Sequence, residues 1–308
     1  MKKLLSCAVV FSLICTSIAC AQGVAGLSLP GFGGLPENVT VNPSVQVGFQ
    51  RVGSNISLPV GAELQAGLLQ VESLEISLKD ANLWAGTAGA TVKAGELLSF
   101  FASVGGSLNR PFVVSGEIPV RLGPIGRQPT IEFTSSKMGS WFAQGGVGLG
   151  PILLGLYGDH FAIEVNDPRR DSVPLDNQTL RGDVITTTLA PFIGFVVPAS
   201  NGLFTIMYSP LAMSNTTLVL RTSSQDLAQV QYKWNKPGNL LSCSFQYNMA
   251  PVNSVSLALW GGYTWMDVRG NAELDFRNAT SDVSRQKDVT ATMTKYVLQG
   301  GVTAGINF

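Results

Sequence analysis

The sequence predicts an all-β fold: a closed, antiparallel, up-and-down transmembrane β-barrel of ten strands, with twelve as the alternative count. Three observations predict it. Apolar and polar residues alternate over many short segments, most cleanly in YVLQGGVTAGINF, Tyr296 to Phe308. Hydrophobic residues make up 45% of the chain and charged residues only 13%, yet beyond residue 21 no segment reaches the ~18 uninterrupted apolar residues of a helical span. The breaks between alternating segments come in two lengths, short and long, which take turns along the chain.

Successive side chains of a strand point to opposite faces, so parity assigns each residue to a face. In the C-terminal segment Tyr296, Leu298, Val302, Ala304, Ile306 and Phe308 share one face, and Gln299, Thr303 and Asn307 lie on the other. Leu98, Phe100, Ala102 and Val104 oppose Ser99, Ser103 and Ser107, with Phe101 on the serine side. Trp141, Ala143, Val147 and Leu149 oppose Ser140 and Gln144. Ile185, Leu189, Ile193 and Phe195 oppose Thr186 and Thr188, and Leu257, Leu259, Tyr263 and Trp265 oppose Ser256 and Thr264. The wet face is small and hydroxylic, as a lumen wall is, whereas the outer face of a soluble sandwich carries more Lys and Glu.

The short breaks fall at residues 93–96, 150–151, 198–202 and 250–254, and the long ones at 109–137, 166–182, within 212–239 and at 270–288. Outer-membrane barrels have short periplasmic turns and long external loops, which places both ends of the barrel on the periplasmic side. Strands are expected over 44–58, 74–92, 96–108, 139–149, 152–165, 183–197, 202–212, 240–249, 254–269 and 290–308. The arms within 213–239 are short against the ~9–11 residues of a tilted spanning strand. They read as a hairpin projecting outside the membrane, two further membrane strands being the twelve-strand alternative.

Lys2 and Lys3 precede an apolar run, Leu4 to Ile18, and then Ala19-Cys20-Ala21. This pattern predicts a signal peptide over residues 1–21, cleaved after Ala21. Lipid attachment at Cys20 is the alternative, although Ser17 stands where such signals prefer a branched aliphatic residue. Residues 22–43, with GFGGL at 31–35, read as a periplasmic lead-in, and 44–308 as the barrel. Cys7, Cys15 and Cys20 belong to the leader, so Cys243 remains alone, with no disulfide framework possible within the chain. Parity puts Cys243 on the greasy face with Leu241, Phe245 and Tyr247. Net charge is zero, or about −2 without Lys2 and Lys3, and no basic stripe suggests nucleic acid.

The leader, the alternating strands and Phe308 with Ile306, Ala304 and Val302 behind it resemble bacterial outer-membrane β-barrel proteins. That resemblance implies residence in the outer membrane and contact with its lipid and lipopolysaccharide. It also implies insertion machinery that reads the strand ending at Phe308. In size the chain is similar to the ten-stranded omptin-type outer-membrane proteases, which use an Asp-x-His pair. Here Asp159 and His160 are adjacent, and adjacent residues of a strand face opposite ways unless a bulge intervenes. The His-x-Ser of outer-membrane phospholipases and lipid A deacylases is not matched either, because Phe161 and Ala162 follow His160. His160, the single histidine, therefore reads as a lumen or rim residue hydrogen-bonded to its neighbours, and it cannot build a multi-histidine metal site.

In NDPRRDSVPLDNQTLRGD, residues 166–183, Asp167, Asp171 and Asp176 would suit Ca²⁺ as oxygen ligands. Arg169, Arg170 and Arg181 neutralise them and the spacing is not that of an EF-hand, so a solvated loop is expected. Trp84, Trp141, Trp260, Tyr263 and Trp265 fit interfacial girdles better than a carbohydrate platform. Phe101, Phe142, Phe192 and Trp260 fall on the inward parity and narrow the lumen. No catalytic, cofactor or metal site is expected. The chain reads as a non-enzymatic outer-membrane barrel, either a narrow passive channel or a surface-loop scaffold, with a hydrolase at the external rim as the alternative. Deleting Phe308 should lower assembly far more than its lost packing implies, measured as unfolded protein accumulating in the periplasm; normal assembly would make the terminal aromatic incidental.

Overall fold

The computed structural model describes residues 39–66, 69–107, 114–119, 121–122, 130–135, 137–165, 181–221, 226–234, 236–249, 255–278 and 281–306. The expected leader, its cleavage point, residues 22–38 of the lead-in and Phe308 lie outside them. The strands are β1 (Val39–Ala66), β2 (Leu69–Ala94), β3 (Leu98–Ser107), β4 (Val114–Pro119), β5 (Arg121–Leu122), β6 (Thr130–Ser135) and β7 (Lys137–Leu149). They continue with β8 (Ile152–Val165), β9 (Arg181–Ala199), β10 (Gly202–Arg221), β11 (Asp226–Trp234), β12 (Gly238–Asn248), β13 (Val255–Asn278) and β14 (Ser281–Ile306). Ten of them, β1, β2, β3, β7, β8, β9, β10, β12, β13 and β14, each pair antiparallel with the next, and β1 pairs β14 to close the ring. The wall is a closed ten-stranded antiparallel barrel.

Closure is long. β1 and β14 stay in register from Ser44↔Gly305 to Ser57↔Thr292. β1 starts at Val39 rather than 44, because Val39 to Pro43 already pair with Ala94 to Ala90 of β2 and so belong to the barrel wall. Turns at one end are tight: Gly95, between β2 and β3, and Gly150, between β7 and β8, take φ of 71° and 59°, the left-handed region open to glycine. The Gly150 amide donates to the Leu97 carbonyl at 2.7 Å, tying these two turns together.

At the other end the strands run on past their expected limits. β13 and β14 pair from Val255↔Ile306 as far as Asn278↔Ser281, through residues 270–288, where Asn271 to Arg277 alternate but Ser281 to Asp288 do not. The 213–239 segment is not an extra pair of membrane strands. β10 continues unbroken to Arg221, β11 returns beside it, and β12 then carries on downward after Lys236 and Pro237. Both β11 and β12 sit between β10 and β13, so they fill one wall position in two pieces. The break falls at Pro237, which has no N–H to give to the ladder. In the long break between β3 and β7, β4 and β6 pair with each other, and β4 touches β2 at Glu75.

Every barrel strand sends large apolar side chains outward, among them Phe49, Trp84, Phe100, Trp141, Leu154, Ile193, Phe204, Phe245, Leu259 and Leu298, all exposed. An apolar belt continuous around the wall is a surface for hydrocarbon, not for water. Phe49 and Trp84 meet edge to face across β1 and β2, with centroids 6.3 Å apart. Cys243 is a free thiol on this outer parity, beside exposed Leu241 and Phe245. In β10 parity itself switches. Phe204 and Tyr208 are exposed on even positions, then Leu211 and Met213 on odd ones, across a register shift between Ser209 and Ala212. Pro210 lies at this bulge, and the Ser209 hydroxyl accepts the Leu211 N–H at 3.2 Å.

Inward aromatics lie over glycines of the neighbouring strand. Phe192 covers its partner Gly155, where an added Cβ would fall 2.7 Å from the ring and 2.5 Å from the Gly145 carbonyl oxygen. Phe142 covers Gly105 in the same way, at 2.7 Å. Gly155→Val should therefore destabilise the barrel by about 1–3 kcal/mol through overpacking. Gly139→Ala, whose Cβ meets nothing within 4 Å, should be nearly neutral. Urea titration of the folded gel band measures both.

Candidate functional site

The parity of β8 decides the chemistry of the lumen. Leu154, Leu156 and His160 point outward, while Tyr157, Asp159 and Phe161 point inward. Asp159 is 5% exposed and its Oδ2 accepts a hydrogen bond from Lys295 Nζ at 2.6 Å. Lys295, on β14, is 8% exposed, and its ammonium also sits 5.1 Å from the centroid of the Phe161 ring. The Tyr157 hydroxyl donates to the same carboxylate oxygen at 3.3 Å. Its ring packs on Ala190, Ala212 and Leu240 and stacks on Phe142, with centroids 6.4 Å apart. Two opposite charges taken out of water are thus held by each other, by one phenol and by one aromatic face.

Above the pair, toward the long hairpins, the inward residues turn apolar and tight. Ile56, Met293, Met266, Val268, Val184 and Phe161 are all exposed by 2% or less. Hydroxyls from neighbouring strands pair between them, as Thr186 does with Thr216 at 3.2 Å. Below the pair the lumen opens into a cavity of about 540 Å³ that reaches the tight turns at Gly95 and Gly150. Gln46, Gln50, Gln144, Gln299, Phe101 and Trp260 are part of its wall. Asp159 Oδ1 and Trp260 Nε1 are buried and, among the described residues, have no hydrogen-bond partner.

His160 belongs to the outer surface, not to the lumen or the rim of the cavity. It stacks on Trp141, centroids 5.6 Å apart and planes 24° apart, and its Nδ1 lies 3.1 Å from Thr187 Oγ1. Trp141, His160 and Thr187 are direct partners across β7, β8 and β9. No bulge separates Asp159 from His160, so the wall of the barrel stands between their side chains. Trp84, Trp141 and Tyr263 are exposed on the outer face, as an interfacial girdle requires. Trp260 is the exception and lines the cavity. Phe101, Phe142 and Trp260 do face inward, and Phe192 is 5% exposed with its ring 6.3 Å from that of Phe101. Asp167, Arg169, Arg170, Asp171 and Asp176 lie outside the described residues, and Arg181 opens β9.

Lys295 and Tyr157 were not singled out by sequence, although a signal existed. Lys295 is the only charged residue from Val289 to Phe308, and it sits on the inward parity. A lone charge in a membrane strand calls for a partner across the lumen, and Asp159, equally isolated in ILLGLYGDHFAI, is that partner.

No protein-family model matches the chain, and no curated protein matches it either. Among solved structures it is similar to the outer membrane protease OmpT from Escherichia coli, with a TM-score of 0.61 at 12% identity, covering 92% of this chain and 100% of that one. It also matches the translocator domain of the autotransporter NalP from Neisseria meningitidis at a TM-score of 0.35 and 12% identity, over 98% of each chain. A Pseudomonas aeruginosa FadL homologue matches at a TM-score of 0.28 and 10% identity, over 87% of this chain and 90% of that one. The likeness to OmpT is a likeness of fold.

Removing one member of the central pair leaves a buried charge alone. Lys295→Met or Asp159→Leu should each cost about 3–5 kcal/mol, while the double variant should recover most of that loss. A double-mutant cycle on urea midpoints measures the coupling. The chain has the fold of an outer-membrane β-barrel, with ten strands, a lumen crossed by the Asp159–Lys295 ion pair and a cavity on its short-turn side.

Proposed function

We propose that this chain is a non-enzymatic barrel of the bacterial outer membrane, exported by a leader removed after Ala21, whose lumen is closed and whose long hairpins form a surface scaffold. The observation that carries the closed lumen is the buried Asp159–Lys295 pair beneath an apolar layer. A path for ions through that layer would strip their water and return only a few threonine and serine hydroxyls, no charge. The apolar belt is the part that meets outer-membrane lipid and lipopolysaccharide, and the strand ending at Phe308 is what the insertion machinery reads.

The hydrolase alternative has a specific difficulty. OmpT is a protease by name, but the shared fold carries no activity with it. The single imidazole of this chain is bound into the outer wall against Trp141, away from the buried carboxylate of Asp159. The channel reading retains one supporting observation, the 540 Å³ cavity that penetrates the lumen from the short-turn end. Planar-bilayer recording separates it from the scaffold: purified protein should give no stable unitary conductance, and steady ohmic steps would overturn the closed lumen. Peptide and phospholipid hydrolysis should be absent, with His160→Ala still folding normally. Wild-type hydrolysis that falls ~100-fold or more in that variant would mark a general base and end the non-enzymatic reading.

A further inference from the structure

The cavity below the central pair has more chemistry than a passive vestibule needs. Five glutamines line it, Gln46, Gln50, Gln144, Gln246 and Gln299, and each amide both donates and accepts. Among the described residues its charged lining ones are Lys93 and Glu96 at the mouth and Asp159 and Lys295 at the floor, two of each sign. At the floor the two charges are spent on each other at 2.6 Å. An ion of either sign leaving water for this space finds no net opposite charge to compensate its desolvation. Aromatic faces of Phe101 and Trp260 complete the wall and suit an apolar surface. Among the described residues, the Asp159 Oδ1 and the Trp260 indole N–H, both shielded from water in side chains that are part of the lining, have no partner. The volume, about 540 Å³, lies within the ~300–1,000 Å³ of small-molecule pockets.

We infer that this cavity binds a neutral, hydroxyl-rich small molecule of mono- or disaccharide size, entering from the short-turn end. Hydroxyls meet the glutamine amides, and the carbon-bound face of the ring lies against Phe101 and Trp260. The site stands whether or not the barrel conducts, because it needs only the open lower half of the lumen.

Saturation-transfer NMR on the detergent-purified full barrel tests this with named probes: maltose and sucrose as neutral ligands, gluconate and glucosamine as charged ones. Saturable transfer to at least one neutral sugar, with none to the charged pair, is expected. Gln144→Leu and Gln299→Leu, checked for folding by heat-modifiable migration, should each weaken that binding by about 3–10-fold. No saturable signal from either neutral sugar overturns the inference, as does equal transfer to the charged probes or affinity unchanged in the folded variants. Should neither variant fold, the wild-type comparison of neutral with charged probes decides the matter alone.

Discussion

In hydrocarbon an unpaired N–H or C=O has no water to turn to, so a sheet can cross a membrane only when its first and last strands pair. In this chain the pairing of β1 with β14, from Ser44↔Gly305 to Ser57↔Thr292, closes the ring. Closure forces the alternation that follows. One face of every strand must satisfy lipid and the other must fit a ring of ten strands, which is narrow. The glycines under Phe142 and Phe192 follow from the narrowness, since two side chains cannot occupy the space that one ring takes up. The outward aromatics and leucines follow from the lipid.

Narrowness also explains why the lumen holds charges at all. A wide pore would leave Asp159 and Lys295 hydrated, and the pair would be worth little. Within this ring they are 5% and 8% exposed, so each requires the other, and Phe161 and Tyr157 complete their surroundings. The pair therefore divides the interior. Polar amides and hydroxyls line the space below it, and tightly packed apolar side chains with a few paired hydroxyls fill the space above. The inferred ligand site and the closed lumen are two sides of the same layer.

Strand number, the tight turns at Gly95 and Gly150 and the opposed faces of Asp159 and His160 were all legible in the sequence, because a period of two and a glycine turn are local signals. The upper parts of β13 and β14 were not. There Asn271 to Arg277 do alternate, but their polar members include Glu273, Asp275 and Arg277, and Ser281 to Asp288 have no alternation, so the stretch reads as a polar loop although its backbone pairs as far as Asn278↔Ser281. The continuity of β11 into β12 was hidden by Pro237, which reads as a loop but interrupts only one wall position. His160 was placed by parity on the face opposite Asp159, yet the side of the wall it would occupy depends on which parity is the lumen. Trp141 and Thr187 on either flank settle that, and their register with His160 is non-local. The Asp159–Lys295 contact joins residues 136 apart, beyond the reach of any periodicity.

Thiol labelling below the central layer and within it tests the closed lumen most directly. In a Cys243→Ser background, Gln144→Cys lines the cavity, while Ser54→Cys replaces a 5% exposed residue whose partner in β14 is Lys295 itself. A bulky, membrane-impermeant maleimide should modify the first readily in the folded barrel and the second only after unfolding. Comparable rates at both positions would mean that the lumen is open through Asp159 and Lys295, and the closed barrel would be wrong.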